Sequence, residues 1–321
     1  MSESVPIVDV SRLTSPDRIE RAAVAAEVGQ ACRTIGFFYV TGHGIPSLVI
    51  DAVFAGSRQF FALPHEQKEQ LSFQAQEGFG GYVGIGQEQL DLTALPDRKE
   101  VFNIGLELLP EDPRRFERFR SPNIWPELPN WREKMLTYYD ACWALGRSLH
   151  RAFSIDLGLD EDFFEDKLDF PLATLRLLHY PAASDDLPSQ GPGAGEHTDY
   201  GNLTLLAVDG VGGLELRTRA GKWISAPSIE GALICNVGDC LMRWTNDVYI
   251  STPHRVCVPT RDRYSLAFFL DPNADALVVP VIGGEAASRR YPAISGGDYL
   301  HSRLEPTHVA ATHRRDPLAS S

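Results

Sequence analysis

A histidine and an aspartate stand two residues apart in the segment GEHTDYGNLTLL, as His197 and Asp199. The segment enters a predicted strand, on which residues i and i+2 point to the same face, so that the imidazole and the carboxylate would converge. A second histidine, His254, follows Asp199 by 55 residues, at the start of another predicted strand in STPHRV. Two histidines and one carboxylate on one face would suit non-haem Fe(II) and leave coordination positions open, with zinc as the alternative metal.

An arginine and a serine are spaced in the same way in RDRYSLAFFL, as Arg263 and Ser265. On a strand they share one face. An arginine can hold a carboxylate in a fork of two hydrogen bonds, and a serine hydroxyl can add a third. Taken alone, an arginine and a serine at this spacing could equally lie on a solvent-exposed strand edge without binding a ligand. Beside the histidines and the aspartate, the pair favours an anion-binding site.

In a jelly roll, 55 residues are enough for several strands to run out and return beside the first, and the second half of the chain has the pattern for such a fold. Short segments rich in β-branched and aromatic residues, bounded by Gly, Pro, Asn or Asp, favour strands of a sandwich or barrel. They read TLRLLHYP, NLTLLAV, GLELRT, KWISAP, ALICNV and YSLAFFL. We therefore predict an α+β protein whose core is a double-stranded β-helix, or jelly roll, over residues 166–305.

The first half, residues 1–165, is predicted to be a helical region integrated with that core, and residues 306–321 a polar tail. Ser15 and Pro16 suggest an N-cap and first turn for a helix that runs to Thr34. GFFYV follows as a buried strand, and helical patterning resumes over 46–62 and 64–71. A single apolar stripe at three- and four-residue steps predicts one long helix with a core-facing side. The stripe consists of Met135, Tyr138, Cys142, Leu145, Leu149 and Phe153.

A glycine-rich run, GFGGYVGIG at 78–86, lacks the spacing of a dinucleotide-binding loop. It is typical of a flexible loop, which in this position could act as a lid.

Composition narrows the range of partners. Thirty Lys and Arg stand against 43 Asp and Glu, a formal net charge of −13, which disfavours nucleic acid and anionic membrane surfaces. No apolar run is long enough for a membrane span, and the N-terminus lacks the pattern of a secretory signal. Five cysteines without a C-x-x-C motif argue against a disulfide framework. These features favour a cytoplasmic protein, and a monomer is compatible with them.

The motifs together resemble a known family. H-T-D at 197–199, NVGD at 236–239, STPHRV at 251–256 and R-Y-S at 263–265 follow one another at family-like spacing. VPIVDVSRL, GFFYVTGHGIP and FFALPHEQKEQL extend the similarity into the first half. The chain resembles the iron(II)- and 2-oxoglutarate-dependent oxygenases of the isopenicillin N synthase-like class, and within it a bacterial, thymine dioxygenase-like subset.

That resemblance implies a set of roles. His197, Asp199 and His254 would hold Fe(II), and the distal carboxylate of 2-oxoglutarate would meet Arg263, Ser265 and the hydroxyl of Tyr180. The segment from Asn236 to Asp239 would be a supporting turn. O2 would be the oxidant and ascorbate a supportive reductant.

The substrate pocket is also inferred from the resemblance, through Arg176, Tyr200 and Phe269. Two aromatic rings and an arginine could hold a flat ring and bond its polar edge. Tyr200 can reach such a pocket only if the chain turns after Asp199, which Gly201 would permit. The alternative is that both aromatics are core residues and that Arg176 helps to bind the co-substrate. Tyr82 and Phe102 are weaker candidates, for a lid.

The expected activity is oxidation of a small molecule, by hydroxylation or desaturation, with release of succinate and CO2. One alternative is a non-haem iron oxidase that needs no 2-oxoglutarate. Another is a jelly-roll binding protein without enzymatic activity, against which the intact set of three ligands argues.

Overall fold

The computed structural model describes residues 4–72, 80–183, 191–282 and 290–312, with side chains described as far as residue 304. The α-helices of this part are α1 (Arg18–Thr34), α2 (Ser47–Phe61), α3 (His65–Glu69), α4 (Trp131–Asp156), α5 (Asp239–Trp244) and α6 (Gly296–Thr312). Its first seven strands are β1 (Ile7–Asp9), β2 (Phe37–Thr41), β3 (Gly81–Val83), β4 (Glu100–Gly105), β5 (Thr174–Tyr180), β6 (Ala194–His197) and β7 (Leu203–Val208). The others are β8 (Leu214–Arg217), β9 (Trp223–Ser225), β10 (Leu233–Val237), β11 (His254–Val256), β12 (Arg263–Leu270), β13 (Leu277–Val278) and β14 (Ile294–Ser295).

Two sheets form the predicted jelly roll. The large sheet has the order β1-β2-β10-β7-β12-β5-β4-β3, and the small sheet has the order β6-β11-β8-β9. All pairings in them are antiparallel except that of β1 with β2. Residues of both sheets line one cavity, which lies between the two layers.

Strand β12 shows how the sequence divides its side chains between two cores. Alternate residues of a strand point to opposite faces. Leu266, Phe268 and Leu270 pack in the cluster that includes the helices, whereas Ala267 and Phe269 belong with the layer between the sheets. This two-residue period therefore places the polar residues of β12 in the cavity.

Helices α1, α2 and α4 pack on the outer face of the large sheet, and α4 confirms the predicted apolar stripe. All six residues of that stripe are buried. Gly146 of α4 lies so close to β12 that an added Cβ would be 2.5 Å from the side chain of Leu270. The long helix thus supports the strand that carries Arg263 and Ser265.

Three local expectations differ from the structure. The N-cap of α1 is Asp17, whose Oδ1 accepts a hydrogen bond from the Ile19 amide at 2.9 Å, while Ser15 Oγ accepts one from the Asp17 amide. Part of the glycine-rich run is strand β3 of the large sheet, whereas residues 78 and 79 lie outside the described residues. Helix α6 continues into the segment expected to be a tail, of which 313–321 lie outside the description.

The two halves of the chain share one sheet. Strand β2 pairs with β10, and β4 pairs with β5. Strands from before and after residue 165 are therefore hydrogen-bonded in one sheet. The division between residues 165 and 166 stays a prediction from the sequence. No helix within the described ranges has the length and apolar character needed to cross a membrane.

Candidate metal centre and active site

Two strands of the small sheet bring the histidines together. His197 ends β6, His254 begins β11, and the two residues are directly opposite in register. Their ring centroids are 4.3 Å apart. Asp199 lies two residues beyond the end of β6, so the turn after the strand, and not strand alternation, brings its carboxylate to the histidines.

The three donor atoms surround a common point. Asp199 Oδ1 is 3.8 Å from Nε2 of His197 and 3.7 Å from Nε2 of His254. One ligand atom from each residue lies within 4.8 Å of the others. Metal bonds of about 2.0–2.2 Å leave separations of roughly 3 to 4 Å between neighbouring ligand atoms, so the set is close to what a metal requires.

Backbone carbonyls orient both imidazoles. Nδ1 of His197 donates to the Gly195 carbonyl at 2.7 Å, and Nδ1 of His254 donates to the Thr252 carbonyl at 3.0 Å. A carbonyl only accepts, so the proton is on Nδ1 and the lone pair of Nε2 is left for a metal. Such a bond on the second ring nitrogen is the usual support of a histidine ligand.

The carboxylate of Asp199 is held in a similar way. Its Oδ2 accepts hydrogen bonds from Thr204 Oγ1 at 2.5 Å and from Asn236 Nδ2 at 2.7 Å. Both donors come from the large sheet, from β7 and β10. These hydrogen bonds leave Oδ1 of Asp199 facing the two histidines.

The surroundings of His197 and Asp199 favour the protonation states in which these side chains can bind a metal. Burial, followed by the neighbouring His254, lowers the pKa of His197 to about 3, so its imidazole is neutral at pH 7. Burial alone would raise the pKa of Asp199, but His254, His197 and the hydrogen bonds from Asn236 and Thr204 bring it below its usual value. A neutral imidazole and an ionised carboxylate are the forms that bind metals.

The NVGD segment, expected to be a turn, is the end of β10 and the start of α5, and it packs against the loop that carries Asp199. The amide of Asp239 donates to the Asp199 carbonyl at 2.8 Å. A Cβ at Gly238 would lie 2.2 Å from the carbonyl oxygen of Gly201, so only glycine permits this approach. Thr198 Oγ1 adds a hydrogen bond to Asp239 Oδ2 at 3.0 Å.

A cavity of about 560 Å³ extends from the three donors between the sheets. Arg263, Ser265 and Tyr180 line it, all nearly fully buried. Arg263 lies over the Tyr180 ring at 4.8 Å and donates to Ser265 Oγ at 3.2 Å. No carboxylate of the described residues pairs with this guanidinium, and its Nε has no hydrogen-bond partner there. A buried cation without an anion fits a ligand that supplies a carboxylate.

Arg176, Tyr200 and Phe269 also line the cavity. Arg176 forms an ion pair with Glu88, and the guanidinium of Arg303 from α6 lies 4.8 Å from the Tyr200 ring. Tyr200 is outside any strand, in the loop that carries Asp199.

The prediction for Tyr82 and Phe102 is corrected by the structure. Both are buried in the cluster beneath the helices, 2% and 0% exposed, and neither lines the cavity. They are opposite each other in register on β3 and β4, where Phe60 packs on both rings. The Tyr82 hydroxyl donates to Glu100 at 2.6 Å. They stabilise the packing of α2 on the sheet.

Sequence reasoning named Arg176 but missed the charged residues beside it in the wall of the cavity. Glu88, Lys99 and Arg176 line it together, and Lys99 bonds to Asp97, which also accepts from the Gly195 amide at 2.9 Å. Burial would raise the pKa of Glu88, but Arg176 and Lys99 hold it at about 2. Glu88 is in a loop without periodicity, so no pattern in the sequence signals it.

Comparison with protein families assigns the chain to a class. Residues 171–272 match the model of the 2OG-Fe(II) oxygenase superfamily, and residues 5–128 match that of the non-haem dioxygenase in morphine synthesis N-terminal region. The chain belongs to the 2OG-Fe(II) oxygenase superfamily. It is a 2-oxoglutarate-dependent non-haem iron oxygenase, which confirms the expected class, fold and cofactors.

Similar proteins cover nearly the whole chain. A homoarginine-6-hydroxylase of Arabidopsis thaliana is 37% identical over 94% of this chain and 93% of its own length. A 2-oxoglutarate-Fe(II) type oxidoreductase of Emericella nidulans is 32% identical over 98% and 93%. A full-length Neurospora crassa protein, crystallised in complex with alpha-KG and thymine, superimposes with a TM-score of 0.85 at 32% identity, covering 94% of this chain and 97% of that one.

Proposed function

We propose that the protein oxidises a small molecule in the cavity between the sheets, with His197, Asp199 and His254 as the iron ligands. The main support is that Nε2 of each histidine and Oδ1 of Asp199 converge on one point. The Nδ1 atoms of the histidines and Oδ2 of Asp199 are hydrogen-bonded to other protein groups. When bound, Fe(II) with 2-oxoglutarate supplies the oxidising chemistry, and succinate and CO2 are the co-products.

Arg263 is assigned to the distal carboxylate of 2-oxoglutarate. Its buried guanidinium has no carboxylate partner among the described residues, and a fork of two charge-assisted hydrogen bonds would satisfy it. Ser265 adds a hydroxyl on the same face of β12, and Tyr180 lies opposite Arg263 on β5. This unpaired cation favours 2-oxoglutarate dependence over the oxidase alternative.

The substrate site is assigned to the part of the cavity lined by Tyr200, Phe269 and Arg176. A volume of about 560 Å³ is in the range of small-molecule pockets, and two aromatic rings suit a substrate with a flat or apolar face. The bound thymine of the Neurospora crassa structure supports a small-molecule substrate.

The function is tested by succinate formation from 2-oxoglutarate by the purified protein, with Fe(II), ascorbate and air. We expect formation that requires Fe(II), is lost on chelation, and increases with an accepted substrate. A protein that consumes O2 without forming succinate would favour the oxidase, and one without either reaction would favour a binding protein.

Replacing Phe269 with alanine tests the substrate pocket. We expect a several-fold higher substrate KM and a lower ratio of substrate oxidised to succinate formed, because the ring borders the cavity. Kinetics with a substrate found in the succinate assay provide the measurement, and Phe116→Ala, at an exposed ring, is the control. If Phe269→Ala lowers only the thermal stability, Phe269 is a core residue.

Replacing Asn236 with alanine tests the support of the metal site. Asn236 donates to Asp199 Oδ2, and losing such a partner typically weakens metal affinity by about 10–100-fold. Titration of the metal-free protein with Fe(II) under anaerobic conditions measures this, with Gln30→Ala, an exposed amide, as the control. Unchanged affinity in Asn236→Ala would show that Thr204 alone orients the carboxylate.

A further inference from the structure

One carboxyl of the cavity has no partner among the described residues. Asp271 continues the cavity-facing row of β12, two residues beyond Phe269, and lines the cavity with Arg263, Ser265, Ala267 and Phe269. It is 8% exposed. Its carboxyl makes no hydrogen bond or ion pair with another side chain in the described parts of the chain. A buried carboxyl without a partner is costly to a fold, which points to a role outside folding.

The other acidic groups of this region are satisfied within the protein. Asp199 is bonded to Thr204 and Asn236, and Glu88 is paired with Arg176 and Lys99. By contrast, the side-chain charge that acts on Asp271 is the like charge of Asp199; burial first, and then that charge, raise the pKa of Asp271 to about 7. Both effects would be offset by a positive group bound beside it.

The backbone makes room for this carboxyl. A Cβ at Gly201 would lie 2.4 Å from Asp271 Oδ1, so a side chain at 201 would displace it. Gly201 directly follows Tyr200, and both line the cavity. Asp271 therefore borders the region assigned above to the substrate.

We propose that Asp271 is a specificity-determining residue that accepts hydrogen bonds from a protonated nitrogen of the substrate, such as an amidinium, guanidinium or ammonium group. The inference rests on the proposed function, because it places the substrate beside Tyr200 and Phe269. The cations that line the cavity have other partners, which leaves this role to the substrate. Lys99 pairs with Glu88, and Arg263 is assigned to 2-oxoglutarate. Arg176 is paired with Glu88, and Arg120 donates to the carbonyls of Pro171 and Phe170 at 2.7 and 2.6 Å.

Three compounds of nearly the same shape and different charge test this. Benzamidine is a cation, benzamide is neutral and benzoate is an anion, and each has a flat ring for the aromatic part of the cavity. Their affinities are measured by calorimetry on the full chain, loaded anaerobically with Fe(II) and saturating 2-oxoglutarate so that the Arg263 end is filled. We expect benzamidine to bind at least about tenfold more tightly than either analogue, as a charge-assisted hydrogen bond implies.

Two variants locate the preference. Asp271→Asn should remove it, weakening benzamidine about tenfold or more and leaving benzamide within a few-fold, while the exposed Asp275→Asn should keep it. Asp271→Asn should also raise the midpoint of thermal unfolding, since it removes an uncompensated buried carboxyl, and Asp271→Leu provides a second variant for both measurements.

Several outcomes would overturn the proposal. They are equal affinities, no binding of benzamidine, a preference that survives Asp271→Asn and Asp271→Leu, or a lower unfolding midpoint in both variants. Tightest binding of benzoate would also overturn it and would favour anion recognition near Arg120. The proposed function fails separately, if the wild-type protein forms no succinate in an Fe(II)-dependent way, because the binding preference does not require turnover.

Discussion

Replacing His197, Asp199 or His254 with alanine, one at a time, is expected to abolish Fe(II)-dependent succinate formation while the fold survives. Each residue supplies one of the three donors that converge on the site within the described parts of the chain, so its loss leaves the metal with two. The side chains are not main contributors to the apolar core, and circular dichroism of the variants should match that of the wild-type protein. The rate should fall to below a few percent of that of the wild-type protein.

The matched controls for this experiment are on the surface. His65→Ala removes an exposed imidazole, and Asp275→Ala removes an exposed carboxylate, and both should retain wild-type activity and Fe(II) affinity. A variant at 197, 199 or 254 that keeps more than a few percent of the activity would remove that residue from the ligand set. A metal-bound structure with one of these side chains more than about 3 Å from the ion would do the same.

Replacing Arg263 with alanine is expected to raise the KM for 2-oxoglutarate by about tenfold or more. A hydrogen bond to a charged group is worth roughly 1.5–3 kcal/mol, and the guanidinium would supply two of them. Arg263→Lys keeps the charge without the planar fork and should restore affinity only in part. Ser265→Ala should have a smaller effect than Arg263→Ala, because its contact involves only one charged partner. Steady-state succinate formation at varied 2-oxoglutarate measures all three.

Loss of the Arg263 side chain should affect 2-oxoglutarate binding more than folding. Arg263 pairs with no carboxylate in the described residues, so its removal leaves no buried charge without a partner, although it does leave a space. Thermal unfolding separates that packing effect from the effect on KM. An unchanged KM in a folded Arg263→Ala variant would contradict the assignment and would point to another clamp or to the oxidase alternative.

The predictable parts of the fold are those in which side chains repeat along the sequence with the period of a helix or a strand. The stripe of α4 and the alternation of β12 follow directly from side-chain direction, so the shared face of Arg263, Ser265 and Phe269 was predictable. Asp271 belongs to the same row, at another two-residue step, and the same period could have found it.

The predictions from the sequence were wrong or incomplete where the sequence is compatible with two local structures. Ser15 and Asp17 are both good N-cap residues, and only the backbone geometry selects Asp17. Tyr82 and Phe102 are on strands whose two faces are both apolar or covered, so periodicity alone does not reveal which face meets the cavity. Asp199 reaches the site through a turn, and Glu88 through a long-range ion pair, which no local pattern determines.

The pairing of β2 with β10 has a consequence for how the chain folds during synthesis. Phe37 to Val40 are fully buried, yet their neighbour on one side begins at Leu233, almost two hundred residues later. At about 5–20 residues per second, a ribosome needs on the order of 10 to 40 seconds to reach that partner. Throughout this interval an apolar strand edge stays unpaired in the nascent chain. Such an edge is a target for aggregation and for chaperones, so production of the folded enzyme should depend on how well the cell shields this segment while translation continues.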